Sequence, residues 1–265
     1  METVRQPPPS RLSVADVLTL GNAVCGFSSV YFITTAVLVP YLTEGRGDGS
    51  VRQGAAAAVM LILAASLFDL CDGLVARRFR SSGMGAELDN LSDLVSFGLA
   101  PAYFVLVWGL VSHDAQLGLV VVAAVAVLLG GVLRLARFSV TTMQDGMFQG
   151  MPIPFAALTV VSVVLLELPF VVTLGAVLGV AWLMVSRVEY PKPTGVMAAA
   201  TVGWAAVNIG CLVAWAGDVP GSETLLVTGC TLQVTLAAVL PLFAAVRRIN
   251  AARNGARNAR SGGAP

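Results

Sequence analysis

Four aspartates stand at helical spacing in one short stretch, Asp69 with Asp72 and Asp89 with Asp93, within FDLCDGLVARRFRSSGMGAELDNLSDLVSFG, residues 68–98. Spacings of three and four residues put side chains on one helix face, so each pair is stacked. The intervening RRFRSSGMG is suited to a hairpin that brings the two pairs together. Four converging carboxylates repel one another strongly where the dielectric is low, so something cationic must sit between them. Hard divalent cations such as Mg2+, Mn2+ or Ca2+ take oxygen ligands, and Mg2+ is commonly shared with substrate phosphates. The chemistry to expect is a paired-metal phosphate site. Gly73 and Ala76 fall on the stripe of Asp69 and Asp72, where bulk would block a ligand. Gly83 and Gly85 permit the tight turn between the helices. Arg77 is placed to meet a phosphate with bidentate hydrogen bonds.

The elements that carry these acids are set by an unusually apolar chain. Of 265 residues, 57 % are hydrophobic and only 12 % charged, against about 25 % charged in an ordinary soluble domain. So few charges cannot cover a water-facing surface of this size, whereas a bilayer needs no such covering. A net charge of +1 with basic residues spread among the loops leaves no electrostatic basis for nucleic-acid binding. The cysteines, Cys25, Cys71, Cys211 and Cys230, lie singly in apolar runs without ligand-like spacing and read as reduced core or lipid-facing side chains. Residues 1–12 lack the apolar core and cleavage site of a signal peptide.

A spanning helix needs about 20 mainly apolar residues. Such runs occur near 15–41, 54–76, 87–112, 115–138, 153–167, 169–187, 195–216 and 224–246, the fifth being short and LELPF at 166–170 marking the turn into the sixth. The expected fold is therefore all-α, a polytopic membrane helix bundle of about eight transmembrane helices. It divides into an N-terminal segment 1–14, a membrane domain 15–246 and a polar, mobile, basic tail 247–265. Fourteen of the sixteen lysines and arginines fall on one side of this arrangement, leaving Arg46 and Arg52 on the other. Positive charge marks the cytoplasmic side, so both termini are expected there. The acid cluster then lies near the cytoplasmic surface, and the tail arginines serve as topological anchors that attract anionic lipid.

Two rival roles for the acids are weaker. Arg77, Arg78 and Arg80 would neutralise them as an ion-pair cluster, but that requires neither two same-face pairs nor small residues between them. A proton or ion pathway also uses intramembrane carboxylates. Transport sites, however, lie near the midplane between broken helices of two repeats, and these acids occupy one hairpin near one surface with no counterpart in the second half.

The pattern D-x-x-D-G-x-x-A-R followed by G-x-x-x-D-x-x-x-D resembles the signature of the CDP-alcohol phosphotransferase family. It is carried here by Asp69, Asp72, Gly73, Ala76, Arg77, Gly85, Asp89 and Asp93. The resemblance implies a membrane enzyme that moves a phosphatidyl or similar group from a CDP-linked donor to an alcohol, with release of CMP. It implies two divalent cations held by the four aspartates, with Asp93 as the base that activates the acceptor hydroxyl. Gly73, Ala76, Arg77 and Gly85 fall to the nucleotide side, and the family implies a homodimer. Further segments, LTLGNAVCGF at 18–27, ELDNLSDLVSFGLAPA at 87–102, LRLARFSV at 133–140, FQGMPIPFAA at 148–157 and LMVSRVEYPKP at 183–193, are similar to the phosphatidylserine-forming branch. That branch uses CDP-diacylglycerol and L-serine. Glycerol 3-phosphate or an inositol phosphate is the alternative acceptor, and a membrane transporter the alternative of another class. One departure stands out: seven residues separate Arg77 from Gly85, where the family usually has eight or nine, which touches substrate detail more than reaction class.

The remaining polar residues carry two readings each. Arg134 and Arg137, one turn apart at the inner end of the fourth span, form an anion clamp for a serine carboxylate or lipid phosphate, or serve as positive-inside anchors. Asn22 in the first span bridges helices or joins the nucleotide or metal surroundings, with the bridge favoured. Arg187 and Lys192 read as anchors and His113 as a solvated residue of an outer turn. Phe148 and the PIP at 152–154 shape the entrance to the fifth span.

Overall fold

A computed structural model describes residues 12–44, 52–78, 84–112, 116–140, 148–190 and 196–261. These residues fold into eight apolar rods. The first is α1 (Val14–Ile33), continued through a π-helical stretch Thr34–Leu38 into α2 (Val39–Glu44); the second is α3 (Arg52–Arg78). The third joins α4 (Gly85–Asp93), a second π-helical stretch Leu94–Leu99 and α5 (Ala100–Ser112). Then follow α6 (Leu117–Val140), α7 (Ile153–Leu165), α8 (Phe170–Val185), α9 (Val196–Ala216) and α10 (Ser222–Ser261). Five rods are long and apolar enough to cross a membrane, Val14–Thr43, Gly54–Gly73, Gly85–Ser112, Leu117–Ser139 and Ser222–Leu242. Three shorter apolar helices, Ile153–Leu165, Phe170–Val185 and Gly203–Ala216, complete the bundle. This is an integral, multi-pass membrane protein of helical architecture.

The short α7 has a physical reason. Its 13 residues rise only about 20 Å at 1.5 Å per residue, less than a bilayer core. It does not face lipid: Ala156 through Leu165 are all buried, which is why its sequence is apolar all round. The outer helices instead carry large apolar side chains on their surfaces, among them Val17, Val24, Phe27 and Tyr31 of α1 and Val171 and Trp182 of α8.

On α1 the pattern inverts. Asp16, Thr19, Asn22, Gly26 and Ser29 recur at three- and four-residue intervals and are all buried, so the polar stripe faces the bundle. Ser13 starts the helix with a capping box: its hydroxyl accepts from the Asp16 N–H at 3.2 Å, and Asp16 Oδ2 accepts from the Ser13 N–H at 2.7 Å. Gly26 lets the stripe dock, because a Cβ there would come within 2.5 Å of the Ser96 Cα. The Ser96 hydroxyl donates to the Asn22 carbonyl across that crossing at 2.8 Å.

The second half of the bundle is tied by amides. Asn208 on α9 donates to Gln233 Oε1 on α10, and Gln233 Nε2 donates to Thr159 Oγ1 on α7 at 3.1 Å, interhelical hydrogen bonds of the kind that hold membrane helices together. At one end, Arg52 joins three elements: Nε donates to the Leu165 carbonyl at 2.8 Å and lies 3.5 Å from Glu167, and Nη1 meets Glu223 at 3.1 Å. Arg52 is one of the two basic residues expected on the outer side, and its charge is satisfied locally.

Two features depart from the expected organisation. First, the last apolar span closes at Leu242, close to the expected 246, while the α10 helix itself continues to Ser261. Second, a two-residue strand β1 (Phe148–Gln149) pairs antiparallel with β2 (Glu189–Tyr190), the only strand pairing among the described residues. Gly150 follows β1 at φ 77°, and a Cβ there would lie 2.5 Å from the Met184 carbonyl. Only glycine combines that backbone with that approach. The Gly150 N–H donates to Val188 O at 2.8 Å, so the clasp fastens the start of α7 to the end of α8.

Candidate active site

The acid pairs lie where the last turns of α3 meet α4 beside the N-terminal half of α1. Asp69 and Asp89 are half-buried; Asp72 and Asp93 are only 6 % and 8 % exposed. One carboxylate oxygen from each of Asp69, Asp89 and Asp93 lies within 4.8 Å of the other two. Asp72 stands outside that triplet but within electrostatic reach of all three acids. Its Oδ2 accepts from the Thr19 hydroxyl at 2.8 Å.

Among the residues whose side chains are described, no arginine or lysine forms an ion pair with these aspartates. One oxygen of the cluster, Asp89 Oδ1, is buried without a hydrogen-bond partner. Three close carboxylates with an orphaned oxygen, near the Arg134 guanidinium but not paired with it, make a donor set that suits a hard divalent ion. Thus Asp69, Asp89 and Asp93 could bind a metal. Gly73 supports access, since a Cβ added there would meet no atom within 4 Å. Gly85 is the first residue of α4, with Met84 at the N-cap. Ala76 and Arg77 lie on the last turns of α3, where only the backbone is described. Gly83, Arg80, His113 and Lys192 lie outside the described residues.

Asn22 is fully buried, and its amide donates to Asp93 Oδ1 at 3.0 Å. The sequence alone favours a helix bridge for this residue and gives Thr19 no role. The signal for both lies in the three-residue spacing of Asp16, Thr19 and Asn22 within an apolar helix, a polar stripe that has to face something polar.

The two arginines of α6 separate. Arg137 is exposed, and its Nη1 donates to the Val185 carbonyl at the end of α8 at 2.8 Å. Arg134 is half-buried, with Nε lacking a hydrogen-bond partner, and it lies within electrostatic reach of Asp93 and Asp69. Cation and acids therefore face the same space without pairing. Beside them, Asn90 Nδ2 donates to Ser139 Oγ at 3.1 Å and ties α4 to α6.

Comparison with known proteins agrees with this geometry. The chain is 35 % identical over 192 residues to an archaetidylserine synthase of Methanothermobacter thermautotrophicus, covering 70 % of this chain and 72 % of that protein. It is 38 % identical over 133 residues to a CDP-diacylglycerol–serine O-phosphatidyltransferase of Methanocaldococcus jannaschii, covering 50 % of this chain and 62 % of its relative. A CDP-diacylglycerol–serine O-phosphatidyltransferase of Bacillus subtilis is 30 % identical over 179 residues, covering 66 % of this chain and 88 % of its own length. The CDP-alcohol phosphatidyltransferase family matches residues 12–188, from just before α1 to just after α8 and thus around every acid of the cluster. A membrane bundle with this acid cluster at its heart, matched across two thirds of its length, belongs to the CDP-alcohol phosphatidyltransferase family.

Proposed function

We propose that this chain transfers the phosphatidyl group of CDP-diacylglycerol to the hydroxyl of L-serine, forming phosphatidylserine and releasing CMP. The observation that carries the reading is the convergence of Asp69, Asp89 and Asp93 within 4.8 Å, in a chain whose relatives are named for serine as acceptor. Those names differ in the lipid, archaetidyl or phosphatidyl, and agree on serine.

In the step itself, a bond forms between the serine hydroxyl oxygen and the phosphorus bearing the lipid. The bond from that phosphorus to the CMP oxygen breaks, and the hydroxyl proton passes to the Asp93 carboxylate. The four aspartates hold two divalent cations, Mg2+ or Mn2+, with Ca2+ also suited to such oxygen ligands. When bound, the cations offset the charge of the diphosphate and of the CMP leaving group. Gly73, Ala76, Arg77 and Gly85 line the nucleotide side; the open space at Gly73 favours this placement. Arg134, half-buried with an unpartnered Nε, is the better placed of the two α6 arginines to receive the serine carboxylate. Arg137 holds the end of α8 beside it.

Both termini and the site face the cytoplasm, the side that holds most of the lysines and arginines. There a soluble acceptor arrives from water while the acyl chains stay in lipid. The working unit is a homodimer, as the family resemblance implies.

The test is CMP release by the purified chain with CDP-diacylglycerol and a panel of alcohols, with Mg2+ or Mn2+ present. Serine should support release, and glycerol 3-phosphate and inositol phosphate should not. Release with another alcohol alone would remove serine and keep the transferase. A transporter would release no CMP with any acceptor.

A further inference from the structure

The catalytic acids are not held by their own helices alone. Thr19 and Asn22 stand one turn apart on the buried face of α1, and each reaches a different acid pair. The Thr19 hydroxyl lies 2.8 Å from Asp72 Oδ2 on α3 and 3.0 Å from the Ala15 carbonyl. The nearer, charged acceptor is the stronger partner. The Asn22 amide donates to Asp93 Oδ1 on α4 at 3.0 Å. The terminal torsion of an aspartate is soft, so an outside donor is what fixes the plane of its carboxylate. Asp72 and Asp93 are also the two most buried of the four acids.

Asn22 bridges helices, as the sequence favours, but a bridge alone does not account for its side chain. The third rod already has a bridge to α1 in the hydrogen bond from the Ser96 hydroxyl, in its π-helical stretch, to the Asn22 carbonyl at 2.8 Å. What the Asn22 side chain adds to that contact is the bond to Asp93 alone, and its own Oδ1 is buried with no partner. An orphaned buried carbonyl is unfavourable, and its retention makes sense if the donor end of the same amide is required.

We propose that Thr19 and Asn22 are positioning residues, a two-point clamp from α1 that orients Asp72 and Asp93 and sets the spacing between the two acid pairs. The clamp rests on the reading of the acid cluster as a divalent-cation site. It assigns α1 a part in metal affinity although α1 contributes no acid to the cluster.

The experiment measures Mn2+ binding by electron paramagnetic resonance on the full chain in lipid nanodiscs, without substrate. Melting temperature and CMP-release kinetics are taken on the same samples. Thr19→Val keeps the volume and removes the donor; Asn22→Ala removes the amide. Each should weaken Mn2+ about 10- to 100-fold and lower kcat, as loss of a group that orients a metal ligand does. The KM for CDP-diacylglycerol, measured at saturating Mn2+, should change far less. Thr19→Ser restores a hydroxyl and should recover most of the affinity. Ser96→Ala removes the bridge alone and should lower the melting temperature while leaving Mn2+ affinity in place. Thr19→Val and Asn22→Ala binding Mn2+ like the wild type would overturn the clamp. So would Ser96→Ala weakening Mn2+ as much as they do, because the crossing itself would then be the cause. If Asn22→Ala fails to fold, the Thr19→Val and Thr19→Ser pair decides. A wild-type chain that binds no Mn2+ would overturn both the clamp and the cation site.

Discussion

Gly26 of α1 and Ser96 of the third rod touch backbone to backbone: a Cβ on Gly26 would come within 2.5 Å of the Ser96 Cα. Ser96 lies three residues beyond Asp93, so this contact sets how closely α1 approaches the acids. Gly26→Val should push the helices apart, at about 1–3 kcal/mol for an overpacked core position, and at the upper end because a backbone cannot rotate away. The melting temperature should fall, and CMP release should fall further than stability alone accounts for. Unchanged activity in a folded Gly26→Val chain would mean that the approach of α1 is irrelevant to the site.

Substitution of the acids offers a direct check of the cation site. Asp→Asn at 69, 72, 89 or 93 removes one negative ligand with almost no change in volume. Loss of a group that merely orients a ligand costs about 10- to 100-fold, so each substitution should cost at least the upper end of that range in turnover. Chelator should abolish activity, and Mg2+ or Mn2+ should restore it. Full turnover in chelator would exclude the proposed role of these acids.

Much of this arrangement is legible in the sequence. Helical spacing stacks Asp69 on Asp72 and Asp89 on Asp93, and the eight apolar runs anticipate the eight rods to within a few residues, save the C-terminal end of α10. The reason is that both signals are local: periodicity and run length belong to one helix at a time. What escapes is relational. The hydrogen bond from Thr19 to Asp72 joins residues 53 apart in sequence, and no spacing rule within either helix reports it. The β1–β2 clasp depends on Gly150 accommodating the Met184 carbonyl, again a property of two segments. The helical continuation of α10 past residue 246 is hidden for another reason. Hydropathy detects the apolar part of a helix, whereas residues 247–261 are rich in Ala, Arg and Asn, a composition that looks like a tail.

The staple at Arg52 should matter for stability rather than for turnover. Its guanidinium joins the end of α7, the turn after it and the start of α10. A charged hydrogen bond contributes about 1.5–3 kcal/mol, reduced here by partial exposure. Arg52→Ala should therefore lower the melting temperature by a few degrees with little change in the KM for either substrate. A large change in kinetics without a loss of stability would contradict this assignment.

Topology is open to labelling in intact cells. Arg78→Cys and Arg247→Cys, each in a cysteine-free background, should resist a membrane-impermeant thiol reagent, whereas Gly47→Cys and His113→Cys should react. Cys25, Cys71, Cys211 and Cys230 form no disulfides, so their removal breaks no covalent link. Reaction at position 78 from outside would invert the proposed orientation and place the acid cluster on the wrong side for a cytoplasmic acceptor.

Serine differs from a neutral alcohol in carrying a carboxylate, and that carboxylate needs a cation near Asp93 if Asp93 is the proposed base. Arg134 has a buried Nε without a partner and lies within electrostatic reach of Asp93 and Asp69, whereas Arg137 is engaged with the Val185 carbonyl. Arg134→Lys replaces a planar fork with a point charge. If Arg134 receives serine, its KM should rise about tenfold, equivalent to about 1.4 kcal/mol of lost interaction, while the KM for CDP-diacylglycerol moves much less. Arg137→Lys should leave the serine KM close to wild type and act through the end of α8, by lowering stability. Should the donor KM rise alone in Arg134→Lys, the guanidinium serves phosphate and serine is recognised elsewhere. If neither constant moves in either variant, both arginines are anchors, because lysine preserves the charge an anchor needs.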